Sequence, residues 1–309
     1  MRIVRHPRPG GPPTAIAIGS FDGVHLGHAA ILERLRRRAA QRGLEPAVLT
    51  FEPLPRELLA PEAAPPRLTS LGERLGEIAR HGIGTAFVER FDRRFASLDA
   101  ESFARRLAGE YGARFVLVGE DFRYGARRSG DVEALRRAGA SLGFEVETLP
   151  AVAQGDERIS STRVRQALAR SDFDAAARLL GRPYAICGRV VHGAKRGRAL
   201  GFPTANVRLA RPRAALAGIF AVRCHGVATR GLEGVASLGL NPAVRRGGPA
   251  TLEAFLFDFD GDLYGRRISI EFLKKLRDEA HFASLDALAA QVERDCDEAR
   301  AWFRAERQG

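Results

Sequence analysis

The sequence predicts an α/β domain built on a parallel sheet, followed by an antiparallel β domain, barrel or sandwich, that ends in a helix. The length of 309 residues is enough for two domains of about 100–200 residues each. Up to residue 180, apolar strand-like runs alternate with helical periodicity, which is typical of crossovers in a parallel sheet. After Gly181-Arg182-Pro183 the chain changes to short β-like runs punctuated by Gly and Pro. We therefore expect domains at residues 1–182 and 183–309.

In the first domain, apolar runs of strand length alternate with longer amphipathic segments. The expected strands are 14–20, 46–51, 85–89, 114–119 and 144–149. The expected helices are 28–42, 71–81, 100–110, 132–142, 162–170 and 172–180. Gly43 is expected to end the first helix. Ligands of such sheets bind at the carboxyl ends of the strands, so the turns that follow strands are the first place to look for a site.

The second domain is expected to consist of short antiparallel strands. The expected strands are 184–191, 218–224, 234–240, 252–257 and 268–272. A helix is expected over 284–304, where apolar residues recur at helical spacing. Asp258, Asp260 and Asp262 have the spacing of a calcium loop, but the remaining ligands of an EF-hand are missing. We interpret this segment as a tight hairpin between the last two strands.

Composition excludes several classes of protein. The chain is 45% hydrophobic and 28% charged, as globular proteins are. No apolar run approaches the roughly 18 residues of a membrane span, and the N-terminus lacks the apolar core of a signal peptide. We therefore expect a cytoplasmic protein with no membrane partner. Cys187, Cys224 and Cys296 are far apart and odd in number, so we expect free thiols rather than disulfides or a zinc site.

The net charge of +12 raises the question of nucleic-acid binding. The charge comes mainly from arginines that are spread along the whole chain, and aromatic residues do not interleave with them as stacking platforms would require. We therefore expect no nucleic-acid partner. Part of the charge is expected to serve anionic small molecules instead.

A turn between the first strand and the first helix carries the first candidate site. It contains Gly19, Ser20 and the run from Phe21, Asp22 and Gly23 to His25 and His28. Such a turn offers backbone N–H groups and a helix N-terminus to an anion. The two imidazoles, three residues apart, can share one face and donate hydrogen bonds to phosphate oxygens. A zinc pair and two surface histidines are the alternatives, and no further zinc ligand is obvious in the sequence.

Two other segments suit phosphate. Ser160, Ser161 and Thr162 precede a predicted helix and are followed by Arg163 and Arg165. Their hydroxyl groups can cap the helix or bind a triphosphate, and the spacing leaves both roles open. The basic loop from Gly188 to Gly201 is rich in glycine, which lets backbone approach a phosphate closely, although a solvated turn has the same composition.

The N-terminal segments resemble a nucleotidyltransferase of the HxGH superfamily. The string from Gly19 to His28, Thr50-Phe51-Glu52-Pro53 and the segments 119–125 and 159–165 narrow the resemblance to the FMN adenylyltransferase module of the bacterial bifunctional riboflavin kinase/FAD synthetase family. The resemblance implies a Rossmann-like fold that joins FMN to AMP from ATP and releases pyrophosphate. It implies catalytic roles for His25, His28 and Arg165. The residues implied for the ATP phosphates are Gly19, Phe21, Asp22, Gly23, Ser160, Ser161 and Thr162, and those implied for the flavin are Asp121 and Phe122.

The C-terminal segments are similar to the riboflavin kinase module of the same family. The loop that ends in Pro203-Thr204-Ala205-Asn206 matches its signature, which implies a β-barrel and Mg²⁺ held with ATP by Thr204 and Asn206. Glu253 matches the base that accepts the proton of riboflavin, and the segment 277–282 implies flavin contacts by Arg277 and Phe282. The residues implied for ATP phosphates are Gly188, Gly193, Lys195, Gly197, Arg198 and Gly201. Riboflavin, FMN, FAD and ATP are the implied partners, and a homo-oligomer is left open.

The resemblance has departures. Leu54 stands where the family usually has His, Tyr124 stands in place of Phe, and Ala243 departs from an Asn-x-Gly-x-x-Pro-Thr pattern. Leu54 and Ala243 each remove one polar contact from the expected sites. Two rival functions remain. One is an adenylyltransferase for another phosphorylated acceptor, such as a pantetheine or a nicotinamide nucleotide, and the other is a non-enzymatic nucleic-acid-binding protein.

Overall fold

The computed structural model describes residues 1–154, 157–193, 201–211, 213–240 and 250–308, without the side chains of Gln154 and Leu240. Contacts divide the chain into two compact units. The first comprises Met1–Pro65 and Leu71–Ser160, and the second comprises Pro66–Ser70 and Ser161–Gly309. The helices that precede the second domain in sequence thus group with that domain by contact. The functional division at residue 182 stays a prediction.

The first unit contains a parallel sheet, whose six described strands lie in the order β1-β4-β3-β2-β5-β6. They are β1 (Arg2–Val4), β2 (Thr14–Ile18), β3 (Glu45–Glu52), β4 (Thr85–Arg90), β5 (Ala113–Gly119) and β6 (Glu145–Leu149). Every residue of β2 is buried, as expected for a central strand covered on both faces. A short antiparallel pair, β7 (Ala153–Gln154) and β8 (Glu157–Arg158), follows the sheet.

Helices cover both faces of this sheet. They are α1 (Leu26–Arg42), α2 (Pro55–Leu59), α3 (Leu71–Arg80), α4 (Arg93–Ala96), α5 (Ala100–Gly109) and α6 (Val132–Leu142). One apolar layer packs α1 and α3 against the sheet, and the other packs α5 and α6 against the opposite face. Local sequence sets the helix ends: Asp99 and Asp131 cap α5 and α6 through side-chain oxygens, and Gly43 ends α1 in the left-handed conformation.

The order in which successive strands are added to the sheet reverses at β2. This strand pairs with β3 on one side and with β5 on the other, and both pairings are parallel. The chain therefore leaves the two neighbouring carboxyl ends, those of β2 and β5, in opposite directions. A crevice opens where this happens, and ligands of open α/β sheets bind there.

The second unit is built on a closed barrel of six described strands in the order β10-β13-β12-β11-β14-β9. They are β9 (Ala185–Val191), β10 (Ala205–Arg208), β11 (Gly218–His225), β12 (Leu232–Leu240), β13 (Ala250–Leu256) and β14 (Arg267–Arg277). Their pairings are antiparallel. The unit also contains α7 (Ser161–Ala169), α8 (Phe173–Leu180) and the terminal α9 (Leu285–Glu306), which buries Cys296, Ala299 and Phe303 against the barrel.

The expected fold class is confirmed, and the structure differs from the expected elements in several details. It adds β1, α2, α4 and the pair of β7 and β8, which were not expected from the sequence. The helix expected from residue 28 begins at Leu26, so His25 is its cap rather than part of the loop. The strand β10 was missed because only four residues of it follow the Gly-rich loop. The tight hairpin at Asp258–Asp262 is wrong. Residues 257–266 connect β13 to β14, and these two strands have different partners in the closed barrel.

A buried polar cluster beneath the first sheet provides a test of this packing. The hydroxyl of Tyr111, which is 1% exposed, donates to Oε1 of Glu89 at 2.7 Å. Arg106 donates to Glu89 and to Glu110 and lies over the Tyr111 ring. Burial and the charge of Glu89 raise the pKa of Tyr111, so the phenol stays a donor at neutral pH.

Removing this hydroxyl should destabilise the first unit. We expect Tyr111→Phe to lower the free energy of unfolding by about 1–2 kcal/mol, because the buried Glu89 carboxylate loses a donor. Tyr124→Phe is the matched control, since no hydrogen bond of its hydroxyl occurs among the described residues. Differential scanning calorimetry of both variants makes the measurement. Equal shifts in the two variants would contradict a specific role for the Tyr111 hydroxyl.

Candidate active sites

The turn after β2 holds an unusual backbone. Phe21 and Val24 have φ values of 50° and 42°, and Gly23 between them has φ of 85°. Non-glycine residues in this region cost of order 1–3 kcal/mol each, and such strain persists only where the surroundings enforce it. Phe21 and Val24 are each 1% exposed, so packing holds the turn in place. The turn delivers the chain to His25 at the start of α1.

The two histidines of the turn form a stacked pair. Their ring centroids are 3.7 Å apart with an interplanar angle of 17°. His25 caps α1, and its Nδ1 accepts a hydrogen bond from the backbone N–H of His28 at 3.3 Å. Gly27 makes this possible, because a Cβ there would lie 3.1 Å from the His25 ring. The spacing of His25, Gly27 and His28 is thus explained by packing. The imidazole of His25 lies over the first turn of α1, where Gly27 has no side chain to block it.

The environment keeps His28 neutral. Burial, the neighbouring imidazole of His25 and the charge of Arg74 hold the pKa of His28 well below its usual range. Its buried Nδ1 has no hydrogen-bond partner among the described residues. No group of three or more His, Cys, Asp or Glu residues in the described part of the chain is arranged to hold a metal ion.

Two adjoining cavities open at the carboxyl ends of β2 and β5. The smaller one, about 210 Å³, is lined by Gly19, Phe21, His25, His28, Asp121, Phe122 and Ser160 among others. The larger one, about 1480 Å³, shares Gly19, Asp121 and Phe122 with it. We call the larger one the aromatic cavity, after the rings of Phe51, Phe91, Phe95, Phe103, Phe122 and Tyr124 in its wall.

Arginines surround these rings. The arginines in the wall of the aromatic cavity are Arg56, Arg93, Arg123, Arg127 and Arg128. The rings of Phe51, Phe91 and Phe95 contact one another edge-on or tilted, with centroids 5.6 to 5.8 Å apart. Phe122 and Tyr124 stack with an interplanar angle of 14°. An aromatic wall with a cationic rim suits a flat, polar-edged ring that carries an anionic tail.

In the barrel, three oxygen-bearing side chains lie on one face of neighbouring strands. Thr204 donates through Oγ1 to Oε2 of Glu253 at 3.3 Å. Asn206 on β10 is in register with Glu253 on β13, so their side chains point to the same side. Thr204 and Ala205 also line a cavity of about 700 Å³ together with the segment 259–264. A hydroxyl, an amide and a carboxylate group therefore share one face, and Thr204 belongs both to this face and to the wall of the cavity.

Glycines allow the strands around this face to approach closely. A Cβ on Gly193 would lie 2.2 Å from Oδ1 of Asn206, and one on Gly188 would lie 2.5 Å from the carbonyl oxygen of Arg208. Both positions thus exclude any other residue without a local shift. Gly188 lies within β9 and pairs with Ile268 of β14.

Arg277, at the end of β14, is held by the terminal helix. Its Nε and Nη2 donate to the two carboxylate oxygens of Asp295 at 2.8 and 2.7 Å. Asp295 is 3% exposed and also accepts from Gln291 on the same helix. The guanidinium lies over the ring of Phe282, 5.7 Å from its centroid. The fork-to-fork geometry fixes the plane of the guanidinium as well as its position.

Comparison with known proteins gives the family. A family model described as FAD synthetase matches residues 10–163, and one described as riboflavin kinase matches residues 180–303. The bifunctional riboflavin kinase/FMN adenylyltransferase of Escherichia coli K12 is 46% identical over 289 residues, which are 93% of this chain and 92% of that one. The enzyme of the same name from Pseudomonas fluorescens is 46% identical over 285 residues, 92% and 91% of the two chains.

The chain belongs to the bifunctional riboflavin kinase/FMN adenylyltransferase family. A crystal structure named as a macrolide-efflux protein from Streptococcus pneumoniae has the same fold, with a TM-score of 0.78 and 30% identity, covering 98% of this chain and 100% of that chain. No helix in the described part of this chain is long and apolar enough to cross a membrane. The resemblance drawn from the sequence motifs is thus confirmed, including the order of the two domains.

The structure brings together some of the residues expected at the sites. The small cavity collects the turn residues with Asp121, Phe122 and Ser160. Ser161 starts α7 in the second unit, and Arg165 on the same helix donates through Nε to the carbonyl oxygen of Pro66 at 2.7 Å. The calls on Lys195, Gly197, Arg198 and Ala243 lie outside the described residues. The individual roles of the site residues stay predictions.

Sequence reasoning missed two features of the first site. The aromatic cavity is one, because its phenylalanines come from β3, the start of α4 and α5, which are remote in sequence. The other is Arg74 on α3, which is 0% exposed. The helical spacing of Leu71, Leu75 and Ile78 already places residue 74 on the inward face, so a buried charge there was a readable signal.

The three cysteines are free, as expected, with Cys224 and Cys296 buried and Cys187 half-buried. Burial raises the pKa of Cys224 and of Cys296 to about 11 each. The two buried thiols are therefore protonated at neutral pH and unsuited to nucleophilic chemistry.

We expect the His28 ring to stay neutral when the pH falls through 6.5, because its surroundings disfavour the imidazolium. The ring C–H resonances, assigned by comparison with His28→Gln, can be followed by NMR between pH 8 and pH 5.5. The unfolded chain takes up a proton below about pH 6.5 that the folded protein does not, so folding loses stability as the pH falls. His28→Gln should reduce that loss. A titration of the ring near pH 6.5 in the folded protein would contradict the expectation.

Asp295 should support the kinase site through Arg277. We expect Asp295→Asn to raise KM for riboflavin by about 10-fold or more, since a buried charged pair loses its anion. Asp297→Asn, an exposed change on the same helix, is the matched control. Formation of FAD from added FMN should stay at the parental rate in both variants. An unchanged KM for riboflavin in Asp295→Asn would show that Arg277 needs no such anchor.

Proposed function

We propose that the second unit phosphorylates riboflavin to FMN with ATP and that the first unit adenylylates FMN to FAD with a second ATP. The observation that carries the proposal is the pairing, in one crevice, of an anion-binding turn with an aromatic cavity. The functional domains would be residues 1–182 and 183–309. The cytoplasm is the expected location.

In the adenylylation, a phosphate oxygen of FMN attacks the α-phosphorus of ATP. The bond between the α-phosphorus and the bridging oxygen breaks, and pyrophosphate leaves with that oxygen. Charge develops on the non-bridging oxygens of the α-phosphate, next to which the turn presents backbone N–H groups and the start of α1. A neutral His28 has one ring N–H, which can donate one hydrogen bond to such an oxygen. Gly19, Phe21, Asp22 and Gly23 shape this turn.

The aromatic cavity suits the isoalloxazine ring of FMN. Its phenylalanine rings offer stacking and edge contacts, and the arginines at its rim suit the carbonyl edge of the ring and the phosphate tail. Asp121 and Phe122 line both cavities, which supports assigning them a position between the flavin and the reacting phosphate. Leu54 is 9% exposed at the start of α2 and offers this site no polar side chain.

In the phosphorylation, the 5′-hydroxyl of riboflavin attacks the γ-phosphorus of ATP, ADP leaves, and the hydroxyl proton goes to a base. Glu253 is the candidate base, since its carboxylate accepts a hydrogen bond from Thr204, which lines the cavity. Arg277 and Phe282 would contact the flavin. Gly188, Gly193 and Gly201, with Lys195, Gly197 and Arg198, would surround the ATP phosphates.

The donor set around Glu253 fits Mg²⁺. Thr204 and Asn206 supply a hydroxyl and an amide oxygen on one face, and such a set leaves room for the waters and phosphates that Mg²⁺ prefers to keep. When bound, Mg²⁺ would neutralise charge on the β- and γ-phosphates. We assign Thr204 and Asn206 as its protein ligands. The same cation would accompany ATP in the first unit.

The test follows the flavins over time with purified protein, ATP and Mg²⁺. From riboflavin, the parent should form FMN first and then FAD. His28→Ala should accumulate FMN, with FAD formation lowered about 10²–10³-fold as for the loss of an oxyanion donor. Glu253→Ala should lose FMN formation by about 10²–10⁴-fold, the usual contribution of a general base, yet convert added FMN to FAD at the parental rate.

Each variant is the control for the other, because both activities reside in one chain. FAD formation by His28→Ala at the parental rate would remove His28 from the mechanism, and FMN formation by Glu253→Ala at the parental rate would remove Glu253. If the parent converts neither riboflavin nor FMN, phosphopantetheine and nicotinamide mononucleotide are the acceptors to try next. Salt-sensitive retention on heparin without bound flavin would favour the nucleic-acid alternative.

A further inference from the structure

Arg74 is a buried cation that the chemistry outlined above does not use. It lies on α3 and is 0% exposed, on the buried side of the helix beside the apolar residues Leu75 and Ile78. Removing a guanidinium from water is costly unless charge and hydrogen bonds compensate it. We therefore expect specific hydrogen bonds to compensate the guanidinium, and these bonds indicate its role.

The contacts of Arg74 join the ends of two strands. Nη1 donates to the carbonyl oxygen of Ser20 at 2.7 Å, and Nη2 donates to the carbonyl oxygen of Phe51 at 3.1 Å and to Oε2 of Glu52 at 3.1 Å. Ser20 follows β2, whereas Phe51 and Glu52 end β3. The planar fork of a guanidinium is suited to holding two such acceptors at a fixed separation.

Both anchored points belong to the adenylylation crevice. Ser20 begins the strained turn that leads to His25 and His28, and Ser20 and Phe51 line the aromatic cavity. Thr50 adds a second, longer hydrogen bond to the same carbonyl oxygen of Ser20, at 3.4 Å. The charge of Arg74 also contributes to the lowered pKa of His28, after burial and His25. The Arg74 side chain thus contacts both the turn at Ser20 and the wall of the aromatic cavity at Phe51.

We infer that Arg74 is a positioning residue for adenylyl transfer. It keeps the turn at Ser20 and the wall of the aromatic cavity at Phe51 at a fixed separation. The inference rests on the proposed function of the first unit. Arg74 touches neither substrate in this role. It sets the separation between the groups that hold the α-phosphate and those that hold the flavin, and the rate of an in-line attack depends steeply on that separation.

The test measures FAD formation from FMN and FMN formation from riboflavin in Arg74→Met, Arg74→Lys and the control Arg80→Met. Arg80 lies on the same helix, is exposed and pairs with Glu77, one helical turn away. In Arg74→Met we expect kcat for FAD formation to fall about 10²-fold, as for a misplacement of about 1 Å, with KM for FMN within about threefold of the parent. Arg74→Lys should recover at least a tenth of the parental kcat because it keeps the charge and some donors. Riboflavin phosphorylation and the Arg80→Met variant should be unchanged.

Parental FAD formation in a folded Arg74→Met protein would overturn the inference, as would a parallel fall in both activities, which indicates general destabilisation. If Arg74→Met does not fold, Glu52→Gln takes its place, with an expected fall in kcat of about three- to tenfold and an unchanged phosphorylation rate. Parental kcat in Glu52→Gln would then overturn it. A parent that forms no FAD from FMN would refute the proposed function instead, so the two failures are distinguishable.

Discussion

The parallel pairing of β2 with both β3 and β5 is the constraint on which the first site depends. The chain leaves β2 and β5 in opposite directions, and the two cavities open at the carboxyl ends of these strands. The turn from Ser20 to His28 can enter this space only with a backbone that bends sharply, which accounts for the positive φ of Phe21 and Val24. The strain of the turn is held by burial and, from α3, by Arg74. The small cavity and the aromatic cavity adjoin at this place and share lining residues.

In the barrel, the pairing register of the strands brings the candidate site residues together. Antiparallel strands place side chains of facing residues on the same side of the sheet, so the register between β10 and β13 brings Asn206 opposite Glu253. Thr204 reaches the same carboxylate from just before β10. The terminal helix then fixes Arg277 through the buried Asp295. Strand register therefore positions the candidate site residues of the second unit, whereas the ends of strands position those of the first.

Much of the fold was predictable, because the signals are local. The helix 132–142 was expected with the bounds that Val132–Leu142 has, since Asp131 and Gly143 mark its two ends. The start of α1 was misplaced because the capping residue is His25, a residue type that is not among the usual caps. The segment 258–262 was misread as a hairpin because turn residues look alike whether or not the flanking strands pair.

The sequence by itself determined the type and order of most of the longer elements, the fold class and the family, because periodicity, capping residues and motif strings are read along the chain. The tertiary structure decided which strands are neighbours, which phenylalanines share a cavity and that Arg74 joins the ends of β2 and β3. These facts depend on contacts between residues far apart in sequence. Such contacts are selected by the packing of the whole unit, so no local pattern records them.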